Sequence, residues 1–301
     1  MLRVLLNPYA NRWHARERWP QAEQALHQAG VEFELSVSQH KGHIVTLAEQ
    51  AIRDGVSGII VAGGDGSIGE AVNGMVRAVG SLEKPLPPLG ILPLGSANDF
   101  VCNLGLPLDL FQAAQVIARG HYEHFDLCQC NDRYFVNNSA IGLEPYVTIK
   151  HERIQRIKGQ TRYIIAALQA IADGPKWEAQ VEWDDGSYEG PLTLLTVGNA
   201  PRTGGVFYMT PHADPRDGRL TFVFAYRAAR LEMFRVLPAA MKPGPGNYTE
   251  LPGIYEHHTQ RLSIRLNQPS PAHTDGELFE QWLQSLEYRI HPGRLTVWTA
   301  G

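Results

Sequence analysis

The stretch Val61-Ala62-Gly63-Gly64-Asp65-Gly66-Ser67 decides how the first part of this chain folds. The run Gly58-Ile59-Ile60 before it is apolar and β-branched, which predicts a buried strand, and from Ile68 to Val76 the apolar residues recur at helical spacing. Glycines allow a positive φ and a close approach of the backbone, while the first N–H groups of a helix attract an anion. The strand, the glycine loop and the helix together predict a phosphate-binding site.

The acidic residue in this loop, Asp65, narrows the identity of the ligand. Its carboxylate would repel a bare phosphate unless a divalent cation stood between them, so we expect a magnesium-bound nucleotide. The spacing Gly64-x-Gly66-x-x-Gly69 also matches a dinucleotide fingerprint, which would indicate an NAD(P)-binding oxidoreductase. Against that alternative, the loop follows the third predicted strand, and no acid ends a strand about 20 residues further on.

The composition is that of an ordinary globular enzyme. A chain of 301 residues exceeds what one core usually holds, so we expect two domains. The formal net charge of −4 gives no reason to expect a nucleic acid partner. The apolar run at the N-terminus is too short for a signal peptide, and no stretch approaches the ~20 residues of a membrane span. Three cysteines form neither a disulfide framework nor a C-x-x-C motif, so we expect a cytoplasmic protein.

The first third of the chain alternates strands and helices. Strands are predicted at residues 3–7, 33–38, 58–61 and 89–92, and helices at 20–29, 44–54 and 109–118. The first of these helices is expected to begin at Pro20, because proline favours a first helical turn. This alternation predicts a parallel α/β sheet with ligands beyond the C-terminal ends of its strands, in a nucleotide-binding domain formed by residues 1–124.

The pattern changes after His124, where apolar and polar residues alternate with a period of two. Residues 177–183, 220–226 and 262–266 have this period, and Asp185-Gly186 predicts a hairpin turn. Two helices are predicted, at residues 161–173 and 229–241. The second domain, residues 125–291, should therefore be mainly antiparallel, and the last strand, within residues 292–301, is expected to return to the first domain.

Five motifs in the same order resemble the diacylglycerol kinase catalytic domain family, and in pattern most of all its soluble bacterial lipid kinases. They are Gly63-Gly64-Asp65-Gly66-Ser67 with residues 92–100, Asn138 through Gly142-Leu143-Glu144, residues 204–213, Asp217-Gly218-Arg219-Leu220, and Asp275-Gly276-Glu277. Two departures are visible. Ser67 and Ser96 stand where threonine is commoner and keep a hydroxyl, whereas Gly69 stands where the family usually has asparagine and lacks an amide.

The resemblance implies a phosphofructokinase/NAD kinase-like α/β domain followed by an antiparallel β-sandwich that binds the lipid substrate. It implies ATP in the cleft, Mg²⁺, and a lipid hydroxyl as acceptor. Glu277 would be the general base, with Asp65 as a second catalytic residue. Asp217 resembles the ligand of a structural magnesium, assisted by backbone carbonyls at the positions of Asp214 and Arg219. The implied ATP-binding residues are Ser38, Gly63, Gly64, Asp65, Gly66, Ser67, Glu70, Gly95, Ser96, Asn98 and Asp99.

Several alternatives stay open at this level. Phosphofructokinase and NAD kinase also have a glycine-aspartate loop and act on soluble substrates, and a pseudokinase would bind nucleotide or lipid without turnover. The stretch Gly95 to Asp99 has the residues of a helix N-cap, and Asp217-Gly218 is a common turn dipeptide. Each of these motifs therefore has a purely structural interpretation.

A basic and apolar stretch follows the Gly142-Leu143-Glu144 motif. It contains Lys150, Arg153, Arg156, Lys158 and Arg162, interleaved with isoleucines. We expect this face to bind an anionic membrane reversibly, which would make the protein peripheral at the membrane, although a solvated helix face has the same composition. The oligomeric state stays open, with a homodimer among the assemblies considered.

Overall fold

The computed structural model describes residues 1–154, 160–226 and 230–301. In its N-terminal part, strands and helices alternate. These elements are β1 (Leu2–Leu6), α1 (His14–Gln28), β2 (Phe33–Val37), α2 (His43–Arg53), β3 (Gly58–Gly63), α3 (Asp65–Val79), β4 (Leu89–Pro93), α4 (Asp99–Asn103) and α5 (Leu110–Arg119).

The first four strands form a parallel sheet in the order β2-β1-β3-β4. Every residue of β3 is buried, as expected for the central strand of a sheet with both faces covered. Helices α2 and α3 pack on one face around Leu5, Ile59 and Ile68, and helices α1 and α5 pack on the other face around Val4 and Ile60. The predicted parallel α/β sheet is confirmed.

Helix α1 begins at His14 and not at Pro20, so its predicted start is wrong. Pro20 lies inside the helix, where its missing N–H leaves one backbone hydrogen bond unmade. Its side chain is exposed, so water can satisfy the freed carbonyl. The helix continues through this position because Ala15, Trp19 and Ala22 recur at helical spacing and are buried against the sheet.

The C-terminal part contains the remaining strands and three longer helices. They are β5 (Tyr122–Cys130), β6 (Arg133–Phe135), β7 (Asn138–Gly142), α6 (Leu143–Arg153), α7 (Gln160–Asp173), β8 (Trp177–Trp183), β9 (Gly186–Leu192), β10 (Leu194–Gly198), β11 (Arg202–Thr203), β12 (Phe207–Tyr208), β13 (Leu220–Ala225), α8 (Arg230–Ala239), a 3-10 turn (Tyr248–Glu250), β14 (Ile254–Thr259), β15 (Arg261–Ser270), β16 (Ala272–Thr274), β17 (Glu277–Leu278) and β18 (Leu283–Trp298).

Strand β18 joins the two parts of the chain. It is antiparallel to β5 and β15, and near its end Val297 pairs in parallel with Leu89 of β4. The first sheet therefore has ten strands and continues from the parallel region through β18, β15, β8 and β9. A second, six-stranded sheet has the order β14-β13-β10-β7-β16-β17.

The two sheets enclose the apolar core of a β-sandwich. Its inward side chains come from both sheets and include Val181, Phe222, Ile264 and Leu286. This arrangement confirms the predicted antiparallel sandwich. Cys128 lies in the same core as a free thiol, and burial raises the pKa of that thiol well above its usual value.

Helices α6, α7 and α8 pack together with the second sheet in a separate apolar cluster. They include both predicted helices, although α8 ends at Ala239 and the prediction extended to residue 241. Arg156 and Lys158 of the predicted membrane-binding stretch lie outside the described residues. No helix in the three described ranges is long and apolar enough to cross a membrane.

Helices α2 and α3 approach each other most closely at Gly74. A methyl group there would collide with the Val45 carbonyl oxygen and would lie 2.8 Å from Cβ of Ala48. In a helix, Gly→Ala normally stabilises by roughly 0.5–1 kcal/mol, but overpacking costs about 1–3 kcal/mol or more. We expect the Gly74→Ala variant to be less stable than wild type by about 1–3 kcal/mol, measured by urea unfolding.

The matched control is Gly244→Ala, because an added methyl at Gly244 meets open space. Its stability should stay within about 0.5 kcal/mol of wild type. Equal stability of the two variants would mean that α2 and α3 are not in backbone contact at Gly74.

Candidate active site

A pocket of about 530 Å³ lies where β1, β3 and β4 end. Such a position, beyond the C-terminal edge of a parallel sheet, is where α/β proteins bind their ligands. Seven of the residues predicted to bind ATP or to catalyse line it: Gly64, Gly66, Ser67, Glu70, Gly95, Ser96 and Glu277. The structure therefore brings together three motifs that are far apart in the sequence.

Glycine is required at several of these positions because the loops touch through their backbones. A Cβ on Gly64 would lie 2.9 Å from Cα of Gly95, so the loops after β3 and β4 meet without side chains between them. A Cβ on Gly66 would lie 3.0 Å from Oε1 of Glu277. The Glu277 carboxylate therefore lies against the glycine loop at the first turn of α3.

The Asp65 carboxylate has structural partners of its own. Its Oδ1 accepts hydrogen bonds from the N–H of Phe100 at 2.8 Å and from Nδ2 of Asn137 at 3.2 Å, and its Oδ2 accepts from the N–H of Asp99 at 3.1 Å. Asp65 thus caps the start of α4, which the sequence did not predict. An ionised carboxylate has about four acceptor sites, so these three hydrogen bonds leave the Asp65 carboxylate able to coordinate a metal ion.

Other residues predicted to bind ATP support the pocket from beneath. Asn98 is the N-cap of α4, with φ 48°, and its side chain bonds both the N–H and the carbonyl of Gly95. The buried Ser38 donates to the His40 carbonyl oxygen. At Gly63, a Cβ would lie 2.6 Å from Oγ of Ser67. These three residues shape the loops but do not line the pocket.

Asp99 faces the second domain rather than the pocket. Both of its oxygens accept from the N–H of Gly205, and Nε of Arg202 lies 3.4 Å from Oδ1. Burial, and then the nearby Asp65 charge, raise the pKa of Asp99 to about 6, against the opposing effect of Arg202. Asp99 is therefore a link between α4 and the β11–β12 loop.

The hairpin that carries Glu277 is fixed by the buried Asp275. The Asp275 carboxylate accepts from three successive backbone N–H groups, those of Val136, Asn137 and Asn138, at 2.8–3.2 Å. Burial raises the pKa of Asp275 to about 7, although the three hydrogen bonds act against this rise. Glu277 itself is partly exposed and forms an ion pair of 2.7 Å with Lys41.

A second pocket, of about 860 Å³, adjoins the first. The two pockets share four residues, Lys41, Gly66, Glu70 and Glu277. The second pocket continues between α2 and α3 on one side and β6 and β17 on the other, where Asn73, Arg77, Tyr134 and Phe279 line it. Glu277 therefore stands at the boundary of two open spaces.

Sequence reasoning missed several residues of this site. Asn7, Tyr9 and Asn11 follow β1 and line the first pocket, and Asn7 donates to Oγ of Ser67 at 2.9 Å. The loop is unusual because Asn11, Arg12 and Trp13 all have a positive φ. A signal was present: Asn7-Pro8 ends the first predicted strand at the same sheet edge as the glycine loop. Lys41 gave no such signal.

The predicted magnesium residues lie at a different place. Asp214 and Asp217 each accept the N–H two residues on, that of Arg216 and Arg219 respectively, so both stabilise local turns. Within the described ranges, no group of three His, Cys, Asp or Glu side chains could hold a metal ion. The buried Asp126 is close enough that both aspartates raise its pKa, after the larger effect of burial. A divalent cation bound by the Asp217 carboxylate and the backbone carbonyls of Asp214 and Arg219 would relieve the repulsion between these aspartates and Asp126. The residues therefore fit the implied magnesium ion.

The chain thus consists of an α/β domain, with a glycine loop at the C-terminal edge of its parallel sheet, joined to a β-sandwich. The sequence model of the diacylglycerol kinase catalytic domain matches residues 1–130, and that of the YegS C-terminal NAD kinase beta sandwich-like domain matches residues 138–299. The chain therefore belongs to the diacylglycerol kinase catalytic domain family, which is a family of lipid kinases. This membership favours a kinase over the NAD(P)-binding oxidoreductase.

Individual relatives agree with this assignment. A diacylglycerol kinase of Staphylococcus saprophyticus is 27% identical over 277 residues, which are 91% of this chain and 88% of that protein. The crystal structure of a diacylglycerol kinase from Bacillus anthracis matches with a TM-score of 0.74 and 20% identity, over 99% of this chain and 96% of the other. At that identity the structural likeness shows the fold alone.

The raised pKa of Asp99 makes stability depend on pH. The pKa rises from 3.8 to about 6 on folding, so the folded state keeps its proton longer, and stability falls as the pH rises between those values. The difference corresponds to about 3 kcal/mol. We expect urea unfolding at pH 4.5 to 7.5 to show a weaker pH dependence for Asp99→Asn than for wild type.

The titration of Asp275 occurs in both proteins and cancels in this comparison. Glu189→Gln, at an exposed position of β9, is the control for loss of a carboxylate and should keep the wild-type pH dependence. Parallel curves for wild type and Asp99→Asn would show that Asp99 ionises at its ordinary pKa.

Proposed function

We propose that the chain is an ATP-dependent lipid kinase that transfers the γ-phosphoryl group of ATP to the hydroxyl of diacylglycerol or a related lipid. The observation that carries the proposal is the position of Glu277, whose carboxylate lies against Gly66 at the start of α3. A base next to a phosphate-binding helix start is what transfer to a hydroxyl requires.

In this mechanism the glycine loops hold the phosphates. Gly64, Gly66, Ser67 and Ser96 line the first pocket, and the N–H groups of this glycine loop and the two serine hydroxyls would bind the phosphate oxygens. Magnesium, when bound, supplies positive charge that offsets the charge of the triphosphate. Ser67 is itself held by Asn7, so its hydroxyl is oriented before the nucleotide arrives.

The chemical step joins the acceptor oxygen to the γ-phosphorus and breaks the bond to the oxygen that bridges the β- and γ-phosphates. The acceptor proton passes to the Glu277 carboxylate, and ADP leaves with the bridging oxygen. The ion pair with Lys41 keeps the Glu277 carboxylate close to the first turn of α3. Because Glu277 borders both pockets, the acceptor and the nucleotide can reach it from different sides.

Support for a lipid acceptor comes from an apolar pocket between α6, α7, α8 and β10. Val147, Ala167, Leu194 and Val236 are among its lining residues. Thr203 and Glu144 form its polar edge, and both are hydrogen-bonded to the Asn138 side chain. The backbone N–H of Asn138 in turn donates to the Asp275 carboxylate. The pocket has a volume of about 70 Å³, enough for a few methylene groups, so the end of an acyl chain could enter it beside the residues that hold the Glu277 hairpin.

The acceptor class is decided by a phosphorylation screen. The protein is incubated with Mg-ATP and, separately, with diacylglycerol, a lipid extract, fructose 6-phosphate and NAD, and products are identified by mass. Phosphorylated lipid is the expected product. A phosphorylated sugar or NAD would instead indicate the soluble-substrate kinases, and tight ATP binding without any product would indicate a pseudokinase.

Glu277→Gln tests the base directly. It should lower kcat by about 100- to 10,000-fold while the affinity for ATP stays near that of wild type, because a base acts mainly in the transition state. The control is Glu189→Gln on the exposed strand β9, which should leave kcat unchanged. A Glu277→Gln variant with more than about a tenth of wild-type kcat would remove Glu277 from this role.

We also propose that the basic stretch from Lys150 to Arg162, which includes the end of α6 and the start of α7, binds an anionic membrane reversibly. The helices on either side of it line the apolar pocket, and Arg153 at the end of α6 is exposed. Lys150 contributes less than its charge suggests, because its Nζ pairs with Asp173 at 2.6 Å. Each basic residue near an anionic surface contributes about 1 kcal/mol.

Liposome co-sedimentation tests this attachment. Wild type should bind vesicles that contain anionic lipid, and the binding should weaken with salt; the double variant Arg153→Glu/Arg156→Glu should bind much less. The double variant Arg265→Glu/Arg289→Glu, at exposed positions of β15 and β18, is the control for the same change of charge. Equal binding by all three proteins would exclude this stretch as the attachment site.

A further inference from the structure

Arg133, at the start of β6, contacts the strand that carries Glu277. Its Nη1 donates to the carbonyl oxygen of Glu277 at 3.1 Å and to that of Leu278 at 3.4 Å. Its guanidinium carbon lies 4.0 Å from the centre of the Phe279 ring. One side chain therefore contacts three consecutive residues of β17 and the turn that follows it.

These contacts matter because, beyond the turn that Asp275 fixes, β17 is held to its sheet by a short ladder on one side. It is only two residues long, and its ladder pairs Glu277 with Thr274 and Leu278 with His273 of β16. It is the last strand of its sheet, so one of its edges has no neighbouring strand within the described residues. Arg133 lies close enough to donate to the backbone carbonyl groups of this short edge strand.

The backbone next to Arg133 is hydrogen-bonded to α3, the helix that begins in the glycine loop. Next to it, the backbone of Tyr134 donates its N–H to Oδ1 of Asn73 at 2.9 Å, and its carbonyl accepts from Nδ2 of Asn73 at 2.8 Å. Asn73 belongs to α3 and also donates to the Gly69 carbonyl oxygen. Strand β6 is thus fixed to the helix whose first turn contains Gly66.

From this geometry we infer that Arg133 is a positioning residue for Glu277. It sets the distance between the carboxylate and the first turn of α3 by joining β17, through β6, to α3. The inference rests on the proposed role of Glu277 and adds a residue that none of the sequence motifs contains. It also assigns the positioning to contacts with the backbone of β17, so Arg133 does not occupy the Glu277 carboxylate, which pairs with Lys41.

A guanidinium suits this role better than an ammonium. It is planar, so it can stack on Phe279 while its N–H groups donate in the same plane to carbonyl oxygens. Lysine can donate to one of these carbonyls but cannot stack in this way. Arg133→Lys should therefore restore part of the activity that Arg133→Met loses.

The test is a double-mutant cycle between Arg133→Met and Glu277→Gln, with kcat and the Kd for ATP measured for all four proteins. A displacement near 1 Å can cost about 100-fold, so we expect Arg133→Met alone to lower kcat about 10- to 100-fold with little change in the Kd for ATP. In the Glu277→Gln background, the same change should lower kcat by less than about threefold, because the two residues act as a unit.

Arg289→Met is the control, since Arg289 is an exposed arginine on β18, and it should leave kcat unchanged in both backgrounds. Urea unfolding shows that each variant is folded at the assay temperature. Phe279→Leu removes the stacked ring but keeps the guanidinium. Like Arg133→Lys, it should therefore lower kcat by less than Arg133→Met does.

Equal losses from Arg133→Met in both backgrounds would overturn the inference while leaving the base in place. A rise in the Kd for ATP that accounts for the whole effect would overturn it as well. If Glu277→Gln keeps wild-type kcat, the proposed base fails and the positioning role fails with it. The three results are distinguishable because only the last one needs no Arg133 variant.

Discussion

The arrangement of the active site depends on one buried carboxylate, that of Asp275. It accepts three consecutive backbone N–H groups, from Val136 to Asn138, in the segment that leads into β7. Successive N–H groups directed at one point form an anion-binding concavity, so the protein uses internally the kind of site that loops elsewhere offer to phosphate. Because Glu277 is only two residues further on, this contact determines where the proposed base can be.

Burial of acids is costly, and this site contains two buried acids, Asp99 and Asp275, near the half-buried Asp65. The Asp65 charge raises the pKa of both Asp99 and Asp275, in addition to the larger effect of burial. Hydrogen bonds from the backbone N–H groups of α4, Gly205 and the start of β7 offset the repulsion without adding a formal charge, and Arg202 is a nearby cation. These hydrogen bonds join the two domains, because Asp65 accepts from Asn137 and Asp99 accepts from Gly205 of the second domain.

Much of the fold follows from local sequence patterns. The buried strand at Gly58–Gly63, the glycine loop and the strand at Trp177–Trp183 were all predictable, because a β-branched apolar run, clustered glycines and period-two alternation are each local signals. The start of α1 was not, since the proline signal at Pro20 is local whereas the burial of Ala15 and Trp19 depends on the sheet. Packing against other elements decides such boundaries.

The candidate site was predictable only where a residue belongs to a motif. Gly64, Gly95 and Glu277 come from three motifs, and the fold brings them to one pocket. Arg133 and Lys41 belong to no motif, and their contacts with Glu277 come from distant parts of the chain. No spacing rule relates residues that meet only through tertiary structure, so single-sequence reasoning had no means of finding them.

Gly69, which stands where the family usually has asparagine, shows how tertiary contacts shape α3. A Cβ there would lie 3.2 Å from Oδ2 of Asp275, which is closer than ordinary van der Waals contact, so glycine lets α3 lie directly against the Asp275 carboxylate. The amide that links α3 to the second domain is instead that of Asn73, one turn further along, which bonds both Gly69 and Tyr134. The missing side chain at Gly69 therefore does not leave α3 unconnected. The lack of a side chain at Gly69 permits the close approach to Asp275. The hydrogen bonds between Asn73 and the Tyr134 backbone fix the position of α3 against β6.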